Sequence, residues 1–110
     1  MLTRATVDIF YKSLREKYPN PDRVVIISPN HFNYGSSVLE SVQKSGKICF
    51  RGNCIDAIPY PGYQFLESSF PLFVRGETTE HGIGEHFSFI NRYFPGIPTM
   101  PIVVRRSLVP

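Results

Sequence analysis

The strongest constraint on this chain is a short run, Arg23-Val24-Val25-Ile26-Ile27, set between Pro21 and Pro29. It is β-branched and has no polar alternation. Such a run reads as a strand buried on both faces, the kind found in parallel sheets. A helix is predicted just before it. Val7, Phe10, Tyr11 and Leu14 recur at i, i+3, i+4 and i+7, an apolar stripe of helical period. Lys12, Arg15, Glu16 and Lys17 fill much of the other face, and Thr3 or Thr6 is placed to cap the start. Pro19-Asn20-Pro21-Asp22 ends the helix, because proline lacks the amide donor and clashes with the preceding turn. Helix, short turn and buried strand form the rhythm of an α/β fold.

The rhythm recurs near the C-terminal end. Thr78-Thr79-Glu80 reads as a helix start, and Ile83, His86, Phe87, Ile90 and Phe94 form one apolar face. This predicts a helix of about fourteen residues closed by Pro95-Gly96. Residues 97–104 then read as a strand, with Pro98 and Pro101 near its start. Two helix-to-strand units with short connections predict parallel neighbours in one open sheet. The middle is less regular: residues 47–50 suggest a short strand, Arg51-Gly52-Asn53 a turn, and residues 55–58 a weak alternation. Tyr60-Pro61-Gly62-Tyr63 reads as another turn, and residues 65–73 as a broken apolar stretch.

Composition bounds the function classes. The 110 residues fit one domain or part of one. With 42% hydrophobic residues the chain has the means to build a core. The ten Pro and eight Gly favour many turns over a helical bundle. A net charge of +3, spread along the chain, describes a solvated surface and demands no nucleic-acid partner. The longest strongly apolar runs are about four residues, far short of a membrane span, and the N-terminus has no apolar stretch of signal type. The chain is expected to be soluble and cytoplasmic. Cys49 and Cys54 are the only cysteines, too few for a metal site of thiolates and not spaced as CxxC. They are expected to be ordinary thiols of a reducing compartment.

Histidine is the scarce chemical resource. His31 follows the first strand in the loop Ser28-Pro29-Asn30-His31, at the strand end where open α/β sheets place their sites. It reads either as a metal ligand or as a turn histidine bonded to backbone. In Glu80-His81-Gly82-Ile83-Gly84-Glu85-His86, His81 and Glu85 are i, i+4 and share a helix face. They suit a base with its orienting carboxylate, or two ligands; the alternative is an acidic first turn complementing the helix dipole. His81 and His86 lie about 140° apart around a helix and do not chelate one ion together. His86 is expected to be packing. No phosphate-binding Gly motif or nucleophile elbow is present.

Two stretches carry a resemblance. Residues 23–32, RVVIISPNHF, resemble the strand and Gly/Ser-Pro-Asn/Ser-His loop of the Memo-like family, which includes the AmmeMemoRadiSam system protein B. Residues 80–89, EHGIGEHFSF, and the later PGIPTMPIVV resemble that family's Glu-His-Ser-Ile/Leu-Glu helix and the strand after it. The resemblance implies an open, mostly parallel α/β sheet with flanking helices, related to class III extradiol dioxygenases. It implies His31 as a metal ligand, with Glu80 and His81 lining the same pocket. Gly84 stands where the family has its second Glu; Glu85 is displaced from that place by about 100° around the helix. The family's Pro-His-Ala-Gly-Tyr loop and Ser-Ser-Asp…His segment are not in this sequence. The chain is thus expected to be a partial domain, with a weakly held iron, copper or zinc ion and a possible small-molecule substrate, or a metal-free remnant or interaction module. A third reading is a complete small enzyme using His81 and Glu85 as an acid-base pair. A partial sheet is also expected to expose apolar edges and to self-associate.

Overall fold

The computed structural model describes residues 3–30, 39–61, 77, 78 and 80–105. Helix α1 spans Arg4–Lys17; Thr3 caps it, its hydroxyl accepting the Thr6 N–H at 3.2 Å. Arg15 and Lys17 in its last turn suit the negative end of the helix dipole. Of the predicted stripe, Tyr11 is buried and Val7 and Leu14 are half-buried, but Phe10 is exposed.

The strands are β1 (Val24–Asn30), β2 (Leu39–Ser41), β3 (Gly46–Phe50), β4 (Asn53–Ala57) and β5 (Thr99–Arg105). They form one open sheet of order β1-β5-β4-β3, with β2 also paired to β5. β1 and β5 run parallel and in register, Val24 opposite Thr99 through Asn30 opposite Arg105, which bears out the pairing expected from the two helix-to-strand units. β4 joins β5 in parallel at one position, Ala57 opposite Thr99. β3–β4 and β2–β5 add antiparallel pairs.

Pro101 lies inside the central strand. Val24 N–H donates to the Pro98 carbonyl at 2.9 Å. Backbone alternation from there turns Pro101 away from β1, into the interval between the β4 and β2 pairings. No ladder donor is needed from its nitrogen there, and its carbonyl accepts the Ser41 hydroxyl at 2.9 Å.

One sheet face carries Ile26, Ser28, Thr99, Val103, Ala57, Ile55, Ile48 and Phe50, all buried. Two helices cover it, α2 (His81–Gly84) and α3 (Phe87–Tyr93), and α1 packs onto α3. Phe87, Ile83 and Ile90 fill the core between. The reading of β1 as buried on both faces is corrected here. Val25 and Ile27 point to the other side and are 48% and 67% exposed. The β-branched run signalled a strand, but continuity of apolar residues alone does not say that both faces find partners.

The single late helix is also corrected to two. The chain turns at Glu85 and His86 between α2 and α3. Within the predicted start Thr78-Thr79-Glu80, it is the Glu80 side chain that caps α2. The break follows from packing: a Cβ on Gly84 would overlap the ring and Cβ of Phe50, so the chain there lies directly on β3. Two glycines in four residues also leave little intrinsic helix preference.

The β3–β4 hairpin closes through Arg51 and Gly52, both at positive φ (48° and 83°), the pattern of a tight turn matched to strand twist. That turn sets Cys49 directly opposite Cys54, their Cα atoms 4.0 Å apart, and the two are joined as a disulfide. The expectation of two ordinary thiols is overturned, because the turn brings a C-x4-C pair to the closest cross-strand position. Among the described residues no helix is long and apolar enough to cross a membrane.

Candidate functional site

Glu80 is wholly buried. Its backbone N–H donates to the Thr78 hydroxyl at 3.1 Å, and Thr78 N–H in turn donates to the Cys49 carbonyl at 2.8 Å. Its carboxylate Oε1 accepts the Gly82 N–H at 3.4 Å. The chain entering α2 is therefore tied to the hairpin on one side and to its own first turn on the other. A carboxylate at this cap meets amide N–H groups that the helix itself leaves without intrahelical partners.

His81, the next residue, is exposed. Its ring meets the Phe50 ring edge-on, centroids 5.8 Å apart. Arg51, at the hairpin tip, lies over the Phe50 ring, its guanidinium 4.9 Å from the centroid. Arg51 also donates to Glu85 Oε1 at 3.3 Å. Glu85 thus pairs with Arg51 across the hairpin, and its backbone N–H donates to the His81 carbonyl at 3.0 Å. The i, i+4 relation survives in the backbone, but the Glu85 carboxylate engages a cation.

His86 is held elsewhere. Its Nδ1 and the Tyr11 hydroxyl are hydrogen-bonded at 2.6 Å, tying α3 to α1. Burial lowers the His86 pKa, and nearby Glu85 partly opposes this. Burial also pushes the Tyr11 hydroxyl up to about 12. Tyr11 therefore keeps its proton and His86 is held towards its neutral form, with the imidazole tautomer setting which of the two donates. The reading of His86 as packing agrees with this geometry. Phe89 stacks on Tyr11 at 5.4 Å and completes the cluster.

His31 lies outside the described residues; β1 ends at Asn30, immediately before it. α2, with Glu80 as its cap, packs against β1. A second buried carboxylate, Glu40, was missed from sequence. It sits on β2 opposite Val103, on the helix-covered face. The only signal for it was an acidic residue within the apolar setting of Val38, Leu39 and Val42, and a three-residue strand leaves no period to read.

Among the described residues no group of three or more His, Cys, Asp or Glu is disposed to hold a metal ion. Mononuclear sites draw on three or four protein ligands. The described residues alone therefore do not make one. What they provide is a fixed carboxylate turned inward and an imidazole turned outward at the start of α2.

The chain is 32% identical over 97 aligned positions to a MEMO1 family protein of Pyrobaculum arsenaticum. The alignment takes in 82% of this chain and 32% of that one, so the chain spans about a third of the length of the relative it matches. No family model matches the chain, and no solved structure does.

Proposed function

We propose that this chain, which aligns with about a third of a MEMO1 family protein, is Memo-like and forms one side of a mononuclear metal-binding, redox-type site of the AmmeMemoRadiSam system protein B kind. In this reading His31 is the principal ligand, and Glu80 and His81 line the same cleft. Glu85 takes no ligand role in it, since its carboxylate pairs with Arg51. The observation that carries the reading is the start of α2. A buried carboxylate cap fixes the backbone there, sets an exposed imidazole beside it, and the helix packs on the strand that leads to His31.

Iron, copper or zinc are the ions suited to imidazole. Held by His31 with one or two helpers, such an ion binds weakly, and this chain alone does not complete a dioxygenase-type active site. Any small-molecule substrate would be met jointly with further family sequence. The second reading is a metal-free remnant or interaction module that keeps the sheet and helices.

Metal titration of the purified chain separates the two. The first reading expects weak binding that is abolished by His31→Ala, reduced by His81→Ala and little changed by His86→Ala, with circular dichroism confirming that each variant folds. Tight stoichiometric binding that survives His31→Ala would overturn His31 as principal ligand. No binding in the parent chain would leave the metal-free module.

A further inference from the structure

Cys49 and Cys54 face each other across the β3–β4 hairpin, and each commits its carbonyl elsewhere. The Cys49 carbonyl turns outward and accepts the Thr78 N–H at 2.8 Å. The Cys54 carbonyl accepts the Asn91 side-chain amide, on α3, at 2.7 Å. This is the pattern of a non-hydrogen-bonded rung, where alternation directs backbone groups away from the partner strand. The disulfide is therefore the link between the strands at that rung. From it a run of hydrogen bonds leads into α2. The Cys49 carbonyl holds Thr78, the Thr78 hydroxyl accepts the Glu80 N–H, and the Glu80 carboxylate accepts the Gly82 N–H. Beyond the rung, the hairpin tip meets the same helix: Phe50 lies against Gly84 and the His81 ring, and Arg51 pairs with Glu85.

We propose that the Cys49–Cys54 disulfide is a reversible redox switch whose state sets how firmly the start of α2 is held. Both cysteines are half-buried, so the bond is open to attack by a thiolate. The reductant is a dithiol. One of its thiolates attacks a disulfide sulfur, the S–S bond breaks, and a mixed disulfide forms; its second thiol then displaces the protein sulfur. Two electrons and two protons end on Cys49 and Cys54, and the reductant leaves as a disulfide. Opening the bond removes the cross-link from the rung that carries both Thr78 and Asn91, so the entry to α2 and the hairpin tip loosen together. The effect is local. The loop closed has a sequence separation of only 5, for which the chain-entropy relation allows at most about a thirtyfold change in an opening equilibrium. β1 lies at the opposite end of the sheet from β3. The proposal rests on the hairpin geometry and not on the metal-site reading.

Hydrogen exchange and imidazole resonances of the full chain, oxidised and after treatment with dithiothreitol, test it. Reduction is expected to speed exchange of the Thr78 amide by about tenfold and to shift the His81 resonances. The Val24 amide, bonded to Pro98, should be unchanged, and reoxidation should reverse both effects. The double variant Cys49→Ser, Cys54→Ser should match the reduced chain and ignore dithiothreitol. The proposal is overturned if reduction leaves Thr78 and His81 as they were, which would make the bond a structural staple only. It is equally overturned if Val24 exchange rises as much as that of Thr78, or if oxidised glutathione leaves both cysteines as free thiols.

Discussion

The Tyr11–His86 pair shows how one contact couples helix packing to pH. Its 2.6 Å hydrogen bond joins α1 to α3 across the core. Tyr11→Phe keeps the ring stack on Phe89 and removes only the hydroxyl, so a loss of about 1 kcal/mol is expected in denaturant unfolding. The pH dependence has a definite sign. The His86 pKa is lowered from its ordinary 6.5 by burial. Just below that value the unfolded chain therefore binds more protons than the folded one, and stability rises with pH. The contribution of His86 is fully present above pH about 6.5 and is lost as pH falls towards the lowered folded value. Thermal unfolding followed from pH 8 down to 5 should show this loss, and His86→Gln should remove that part of it.

Among the elements, the break between α2 and α3 responds most sharply to a single methyl group. Alanine is worth about 1 kcal/mol over glycine in a helix. Overpacking a filled site costs about 1–3 kcal/mol. At Gly84 the new Cβ would overlap Phe50 at its Cβ as well as its ring. Rotating the ring does not relieve a clash so close to the backbone, so overpacking wins. Gly84→Ala is expected to destabilise the protein by about 1–2 kcal/mol in chemical denaturation and to disturb the His81 environment, visible as shifted imidazole resonances. Gly52→Ala tests the hairpin in a different way. Its Cβ meets open space, so the φ of 83° alone sets the cost, about 1 kcal/mol by the same measurement.

For the whole molecule, the Cys49–Cys54 link is a modest contributor. It closes a loop with a sequence separation of only 5, and the chain-entropy relation assigns so short a loop about 2 kcal/mol. Reduction, or Cys54→Ser, is expected to lower unfolding free energy by no more than that and to leave the fold intact. Global unfolding on adding reductant would show that the hairpin depends on the link far more than its loop length implies. The larger consequence of the architecture is its asymmetry. Helices cover one face of the sheet, while Val25 and Ile27 stand open on the other.

Much of the fold was legible in local chemistry. The 3.6-residue stripe of α1, the prolines that end it, the β-branched run of β1 and the apolar run of β5 each act over a few residues, so the sequence alone determined those elements, and their parallel pairing followed from the rule for short helix-to-strand connections. The Memo-like resemblance was likewise carried by short contiguous motifs. Tertiary structure decided what depends on distant partners. Phe10 fits the helical stripe but finds no cover. Gly84 interrupts a helix because Phe50 lies against it. Glu85 turns to Arg51, 34 positions away in the chain, and Glu40 is buried by a sheet register that its own neighbours do not encode. Periodicity reports which side of an element is apolar; only the packed chain decides whether anything lies against it.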